Sequence, residues 1–372
     1  MSAKNSAGSD SWRIKLIVFS GITLEMLFKL LKRNRVSFSA LNMCRLLVLF
    51  FSGWGASSFM RLEKMMLRSR IDALPVPQDP IFLIGHWRTG STFLHQLMAQ
   101  NPLLAAPTLL HVGFPDSFIF SQRFVAPMIQ RMFSRVRPMD QVAITLDEPQ
   151  EDESALFRMT TISPLERLFF PKTAECFLLD PALFEMDPAS ARSWEQAIQL
   201  FCKKMHFATG KQIVLKNPFH SMRIKMLARL FPKACFIHIY RHPYAVVPST
   251  VRMWSVMGEL SSMNDKWKAP GIADAAVFFE RMLSAIRHDL ADLPRNRYCE
   301  VRFEDLEKDP VLVLRSIYNQ LALSFTPEYE EKLAGFLSQI KKYKKNTYSP
   351  STGDRLAIYT ALQHHMAHYG YS

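Results

Sequence analysis

The chain has little of what a secreted or metal-clamped protein carries. Its five cysteines, at 44, 176, 202, 235 and 299, are odd in number and scattered, and none forms a C-x-x-C pair. That argues against a disulfide framework or a thiolate zinc site and points to a reducing compartment. Cys235 and Cys299 fall in apolar, strand-like runs and read as small buried hydrophobes. No N-x-[ST] acceptor for glycosylation occurs. The first residues lack the basic-then-apolar pattern of a signal peptide. Internal repeats and low-complexity tracts are absent as well.

Acidic residues are also short. Asp and Glu total 33 against 46 Lys and Arg, leaving a formal charge of +13 on 372 residues. By composition alone such a surplus suits a nucleic acid, an anionic membrane face or a phosphorylated small molecule, or is merely a basic soluble surface. No nucleic-acid partner is expected. The length fits one large α/β domain with an N-terminal appendage, divided as residues 1–71 and 72–372. Asp72–Pro80 holds three prolines and reads as the linker.

The appendage has two apolar runs. Leu16–Leu31 carries Glu25 and Lys29; Leu46–Met60 is fifteen residues without charge, interrupted by Ser, Gly and Trp. A spanning helix wants about 18–20 continuous apolar residues, so neither run is expected to cross a membrane. Lys32, Arg33, Arg35, Arg45, Arg61, Lys64, Arg68 and Arg70 edge these runs. The pattern fits peripheral membrane contact through residues 12–70, at the cytoplasmic face, or a helical hairpin packed on the enzyme body.

Beyond the linker, strand-like runs at Ile81–Ile84, 212–216, 235–240 and 298–302 alternate with helical stretches. The helices are expected near 92–100, 190–208, 221–231, 246–256 and 274–293, with a mostly helical tail from Pro310. Alternation implies a parallel sheet covered on both faces, an α/β three-layer sandwich of P-loop-like type. Ligands in such folds sit at the carboxyl ends of strands.

The first strand runs into G-H-W-R-T-G-S-T, 85–92, spaced like the phosphate loop G-x-x-x-x-G-K-[ST] but with Ser91 where the lysine belongs. Placed before a helix, it can offer backbone N–H groups and two hydroxyls to a phosphate. A kinase or NTPase needs the loop lysine and a strand-end acid for magnesium. Here the strand at 235–240 ends in Arg241. A metal-free site rich in arginine is expected. A degenerate kinase-like enzyme, and a membrane-surface nucleotide-binding protein without chemistry, stay open as rivals.

Four segments in order resemble the sulfotransferases that use 3′-phosphoadenosine-5′-phosphosulfate (PAPS). P-I-F-L-I-G-H-W-R-T-G-S-T-F-L-H is similar to their 5′-phosphosulfate loop, and F-I-H-I-Y-R-H-P-Y-A-V-V-P-S-T, 236–250, to their 3′-phosphate segment. L-K-N-P-F-H, 215–220, and V-R-F-E-D-L-E-K-D-P, 301–310, match further strand ends. The G-H-W-R form, with R-P-M-D at 137–140 and P-Q-E-D-E at 149–153, looks most like a bacterial branch.

The resemblance implies PAPS as sulfuryl donor and a hydroxyl or amine acceptor; the apolar and basic N-terminal hairpin alone points to a lipid or glycan, beside any other small molecule. Arg88 stands at the position of the catalytic cation, and Thr89, Gly90, Ser91 and Thr92 at the 5′-phosphate. Phe93 and Phe303 are adenine contacts or plain core residues. Arg241 and Ser249 would take the 3′-phosphate. Lys344 and Lys345 would close over it, or belong to a solvated charge run. Lys216 would steady the transferring sulfonate. The general base is left open among Glu153, Glu151 and His220, with Asp152 and His111 behind them. His364, His365 and His368 read as part of a surface helix.

Overall fold

A computed structural model describes residues 20–132, 148–172, 176–180, 183, 185–340 and 350–371. The R-P-M-D segment and Lys344–Lys345 lie outside the described residues. In chain order the helices are α1 (Leu24–Arg33), α2 (Ala40–Asp72), α3 (Ser91–Met98), α4 (Leu109–Gly113), α5 (Phe118–Met132), α6 (Glu153–Thr160), α7 (Leu165–Phe169) and α8 (Pro188–Thr209). They continue as α9 (Ile224–Leu230), α10 (Pro243–Ser261), α11 (Ile272–Ala291), α12 (Phe303–Lys308), α13 (Pro310–Gln320), α14 (Pro327–Ile340) and α15 (Thr352–His368). Five strands, β1 (Ile81–Ile84), β2 (Leu104–Ala105), β3 (Gln212–Lys216), β4 (Cys235–Tyr240) and β5 (Tyr298–Arg302), form one parallel sheet in the order β2-β3-β1-β4-β5. The fold is α/β, with a central parallel sheet and N-terminal helices. Two-residue β2 gave no sequence signal because it is too short to show a period.

The described residues divide into two compact units. One comprises 20–76 with the parts of 107–208 and 253–269; the other comprises 77–106, 209–252 and 270–371.

The second unit is built on β1, whose four residues are all fully buried. An apolar run with no polar alternation is what a central parallel strand requires. Phe82 points to one face, stacked on Phe236 with centroids 5.4 Å apart. Ile81 and Leu83 join the opposite core with Leu94, Leu97, Met98, Ile237 and Val301. Burying each such side chain is worth about 1.5–3 kcal/mol. The helix expected at 221–231 is split into a 3-10 turn, Pro218–Met222, and α9. The cause is local: Asn217 accepts a hydrogen bond from the Phe219 N–H at 2.9 Å, which tightens the turn.

In the first unit, α1 and α2 are capped by Thr23 and Ser39, whose side chains accept from the N–H groups of Met26 and Asn42. The expectation that no segment here is long enough to span a membrane fails on length. α2 is one helix of 33 residues, long and apolar enough to cross a bilayer by length and composition. Ser52 and Ser58 do not break it, because their hydroxyls donate back to the carbonyls of Leu49 and Trp54. Two polar anchors hold α2. Arg45, buried, donates to the carbonyls of Leu260 and Ser262 at 2.7 and 2.8 Å. Glu63, also buried, pairs with buried Lys204 and accepts from the Phe120 N–H.

Candidate active site

The carboxyl ends of three neighbouring strands each bring one cation to the same edge of the sheet. The register pairs Leu83 of β1 with Lys216 of β3, and Ile84 of β1 with His238 of β4. Arg88 follows β1 by four residues, Lys216 ends β3, and Arg241 follows β4 directly. All three belong to the second unit.

The loop between β1 and α3 is shaped by close approach. Gly85 has φ +140°, and a Cβ there would lie 2.4 Å from the Ile239 carbonyl oxygen. Gly90 has φ +95°, and its Cβ would lie 2.1 Å from the Phe303 ring. No other residue fits either place. Gly85 N–H donates to Ser221 Oγ at 2.9 Å, and the buried Thr89 hydroxyl donates to the His86 carbonyl at 2.7 Å. The Thr89 hydroxyl proton is thus engaged within the loop, which leaves its backbone N–H as the donor for any bound anion. Gly90 caps α3 without a side-chain hydrogen bond. A helix start of this kind leaves N–H donors and the positive end of the dipole for an anion.

Arg88 is left-handed, with φ +68°. For a long side chain that costs about 1–2 kcal/mol, a strain that gathers at working sites. The turn is held from both sides. Arg88 Nε donates to Ser249 Oγ at 2.8 Å, and Arg241 donates to the Arg88 carbonyl at 3.3 Å. The Arg241 guanidinium lies 4.4 Å above the Phe303 ring. Its pKa is lowered, chiefly by burial and further by the Arg88 charge, while Glu304 and Tyr371 act the other way. Glu304 also accepts from the His242 N–H, and Tyr371 donates to Glu304 at 2.8 Å. Lys216, buried, reaches Thr92 Oγ1 at 3.3 Å. Ser249, Arg88, Arg241 and Phe303 are thus linked in one chain of direct contacts, and Lys216 and Thr92 form a second pair.

The remaining residues are placed differently. Ser91 is buried in the first turn of α3. Phe93 is half-buried and packs on the core that includes Leu94 and Val301. His220 is buried beneath β1, its ring edge-on to Phe82 at 5.4 Å. Glu151, Asp152 and Glu153 lie in the first unit. Asp152 and Glu153 are buried, and Glu153 accepts from Ser163 Oγ at 2.6 Å. His111 stands in α4 with its Nδ1 3.0 Å from the Thr108 N–H, its pKa lowered to about 4 by burial and then by Lys204. The tail histidines are not all on the surface. His365 is buried against α11, 3.4 Å from Ser284 Oγ, because α15 docks there through Ile358, Leu362 and Met366. Among the described residues no group of three or more His, Cys, Asp or Glu is placed to hold a metal ion.

Two histidines that the sequence reading passed over line the loop. His86 is buried against Phe279 with centroids 4.3 Å apart, and burial lowers its pKa to about 3. His95, one turn along α3 from Thr92, is also lowered to about 3, by burial first and the Lys216 charge second. Both rings are neutral, so the cations of the site stay confined to the strand ends. Their only sequence signal is position, inside and just after the loop.

The sulfotransferase family profile matches residues 80–327, which contain the whole loop and all three strand-end cations. The chain belongs to the sulfotransferase family. This sulfotransferase is 31% identical over 313 residues to the omega-hydroxy-beta-dihydromenaquinone-9 sulfotransferase Stf3 of Mycobacterium tuberculosis, covering 83% of this chain and 79% of the relative. It is 23% identical over 273 residues to human carbohydrate sulfotransferase 5, covering 67% of this chain and 63% of that protein. In three dimensions it resembles sulfotransferase STF9 from Mycobacterium avium, with TM-score 0.68 and 18% identity over 100% of this chain and 95% of that one. STF1 from Mycobacterium tuberculosis matches with TM-score 0.59 and 16% identity, over 98% of each chain. Those two likenesses show a shared fold.

Proposed function

We propose that this sulfotransferase moves the sulfuryl group of PAPS to a hydroxyl group of an apolar lipid acceptor, as a member of the bacterial branch with a P-loop-like three-layer fold. Residues 72–372 form the catalytic part in this reading, and the enzyme works at the cytoplasmic face of a membrane. The observation that carries it is the convergence of Arg88, Lys216 and Arg241 on one sheet edge in a family member whose 31% identical relative acts on a menaquinone derivative. The start of α3, capped by Gly90 without a side-chain hydrogen bond, leaves N–H donors for a phosphate, which fits the donor. None of the five cysteines is in a disulfide, in keeping with a reducing compartment.

PAPS supplies the sulfuryl group, and its remainder departs as adenosine 3′,5′-bisphosphate. The N–H groups at 89–92 hold the 5′-phosphate. Arg88 neutralises the charge that grows on the bridging oxygen as the S–O bond breaks. Lys216 draws on the sulfonate oxygens while the acceptor oxygen forms the new bond. Arg241 binds the 3′-phosphate as a charge-assisted donor. Ser249 accepts from Arg88, so its own O–H is left to donate to that phosphate. Phe303, with Phe93, borders the adenine. The acceptor proton goes to a general base, for which Glu153, Glu151 and His220 are the candidates.

Two measurements test this. Adenosine 3′,5′-bisphosphate should raise the melting temperature more than AMP or magnesium-ATP does. Radiolabelled PAPS should transfer its label to a long-chain prenyl alcohol and not to oligosaccharides. Equal stabilisation by AMP would remove the donor assignment, and transfer to a glycan or an amine alone would remove the lipid.

A further inference from the structure

We propose that α2 lies flat in the interface of an anionic bilayer, one face on the protein and the other in the lipid, and that it does not cross. The proposal is independent of the donor site and of the acceptor's identity.

A surface helix of a water-soluble protein turns a polar face outward. α2 does not. At about 100° per residue, Asn42, Arg45, Leu49, Gly53, Ala56 and Glu63 form one stripe, and all six are buried. On the opposite side stand Met43, Leu47, Phe51, Trp54, Leu62 and Met65, all exposed. Phe51 is 66% exposed, Trp54 64% and Met65 77%. An outward apolar stripe running most of the helix is a surface that water does not favour.

Three observations choose the occupant. First, the polar anchors prevent spanning. Arg45 and Glu63 are eighteen residues apart in the sequence, about 27 Å along a helix, which is nearly a hydrocarbon thickness. Arg45 is bonded to two main-chain carbonyls and Glu63 to Lys204 and the Phe120 N–H. A crossing helix would put its two ends on opposite sides of the membrane and break at least one of these sets, whose partners all belong to the first unit, whereas a helix lying flat keeps both. Second, the exposed side is edged by exposed cations, Arg61, Lys64, Arg68 and Arg70, with Lys32 and Arg35 just before the helix. Apolar residues bordered by Lys and Arg match an anionic headgroup layer over acyl chains. Third, the net charge of +13 opposes the alternative of two copies meeting face to face.

The test uses the full chain and vesicle flotation. Phosphatidylglycerol mixed equally with phosphatidylcholine should carry the protein upward, while phosphatidylcholine alone should carry much less. The double substitution Phe51→Ser with Trp54→Ser should lower the bound fraction at least tenfold. Both side chains are exposed, so thermal stabilisation by adenosine 3′,5′-bisphosphate should be unchanged, which separates this result from unfolding and from failure of the donor assignment. Alkaline carbonate should strip the protein from vesicles. No binding to anionic vesicles, or binding untouched by the double substitution, overturns the proposal. Carbonate resistance overturns the flat placement. A lipid-free dimer that the double substitution turns into monomer, without vesicle binding, shows that a second copy covers the face.

Discussion

Arg88 Nε lies 2.8 Å from Ser249 Oγ, joining the first loop of the sheet to a helix 161 residues later. The contact makes the position of one cation depend on a residue assigned to a different phosphate of the same donor. Arg88→Met should lower kcat by about 10²–10³, the scale for losing one donor to developing charge. Arg88→Lys should keep part of it but lose the Ser249 bond. Ser249→Ala, by steady-state kinetics with PAPS varied, should cost about tenfold in kcat/KM, one hydrogen bond's worth. A Ser249→Ala enzyme with unchanged kcat/KM would dissolve the link between the two sites.

Gly90→Ala is expected to abolish donor binding while leaving the chain folded. The added Cβ would meet the Phe303 ring at 2.1 Å, in a residue whose φ of +95° is already costly for any side chain. Isothermal titration with adenosine 3′,5′-bisphosphate reads the loss. Adding Phe303→Ala should recover part of it by removing the obstructing ring, though not the backbone strain.

Arg241→Ala should weaken adenosine 3′,5′-bisphosphate by about 10- to 100-fold, as a charge-assisted hydrogen bond of about 1.5–3 kcal/mol implies. AMP, lacking the 3′-phosphate, should lose far less. Thermal shifts with both nucleotides, side by side, decide it: equal losses would place Arg241 in the frame of the loop rather than on the phosphate.

Acid should destabilise the fold through His86 and His95. Both are neutral in the folded chain down to about pH 3, against an ordinary 6.5. Below about 6.5 the unfolded chain takes up protons that the folded one refuses, so stability falls as pH falls toward 3. Each ring adds a slope of up to about 1.4 kcal/mol per pH unit in that window. Urea unfolding at several pH values should show the slope, and His95→Leu should flatten it.

Lys204→Met should cost about 3–5 kcal/mol of stability, because it strands the Glu63 carboxylate inside the first unit. The pair Lys204→Met with Glu63→Leu should recover much of that loss, read by denaturant midpoints. A single substitution as mild as the double one would mean the pair carries no charge-specific role.

The sequence by itself determined the sheet and the identity of the family. Strands at Ile81–Ile84, Gln212–Lys216, Cys235–Tyr240 and Tyr298–Arg302 were legible because buried parallel strands are continuous apolar runs closed by polar turns. The loop G-H-W-R-T-G-S-T was legible because its glycines keep a fixed spacing. Other features needed the fold. That Gly90 faces Phe303, that Thr89 closes its own loop, and that Arg88 is left-handed depend on contacts between segments far apart in the chain. The nature of α2 was hidden for a related reason. Its buried stripe carries Asn42, Arg45 and Glu63 and its outer face Phe51, Trp54 and Met65, the reverse of an ordinary surface helix, so only the packing of Arg45 and Glu63 against their partners says which face is inside. Short-range pattern sets where strands and helices run; which side chains meet, and which face is left open, is decided by tertiary packing that no local pattern encodes.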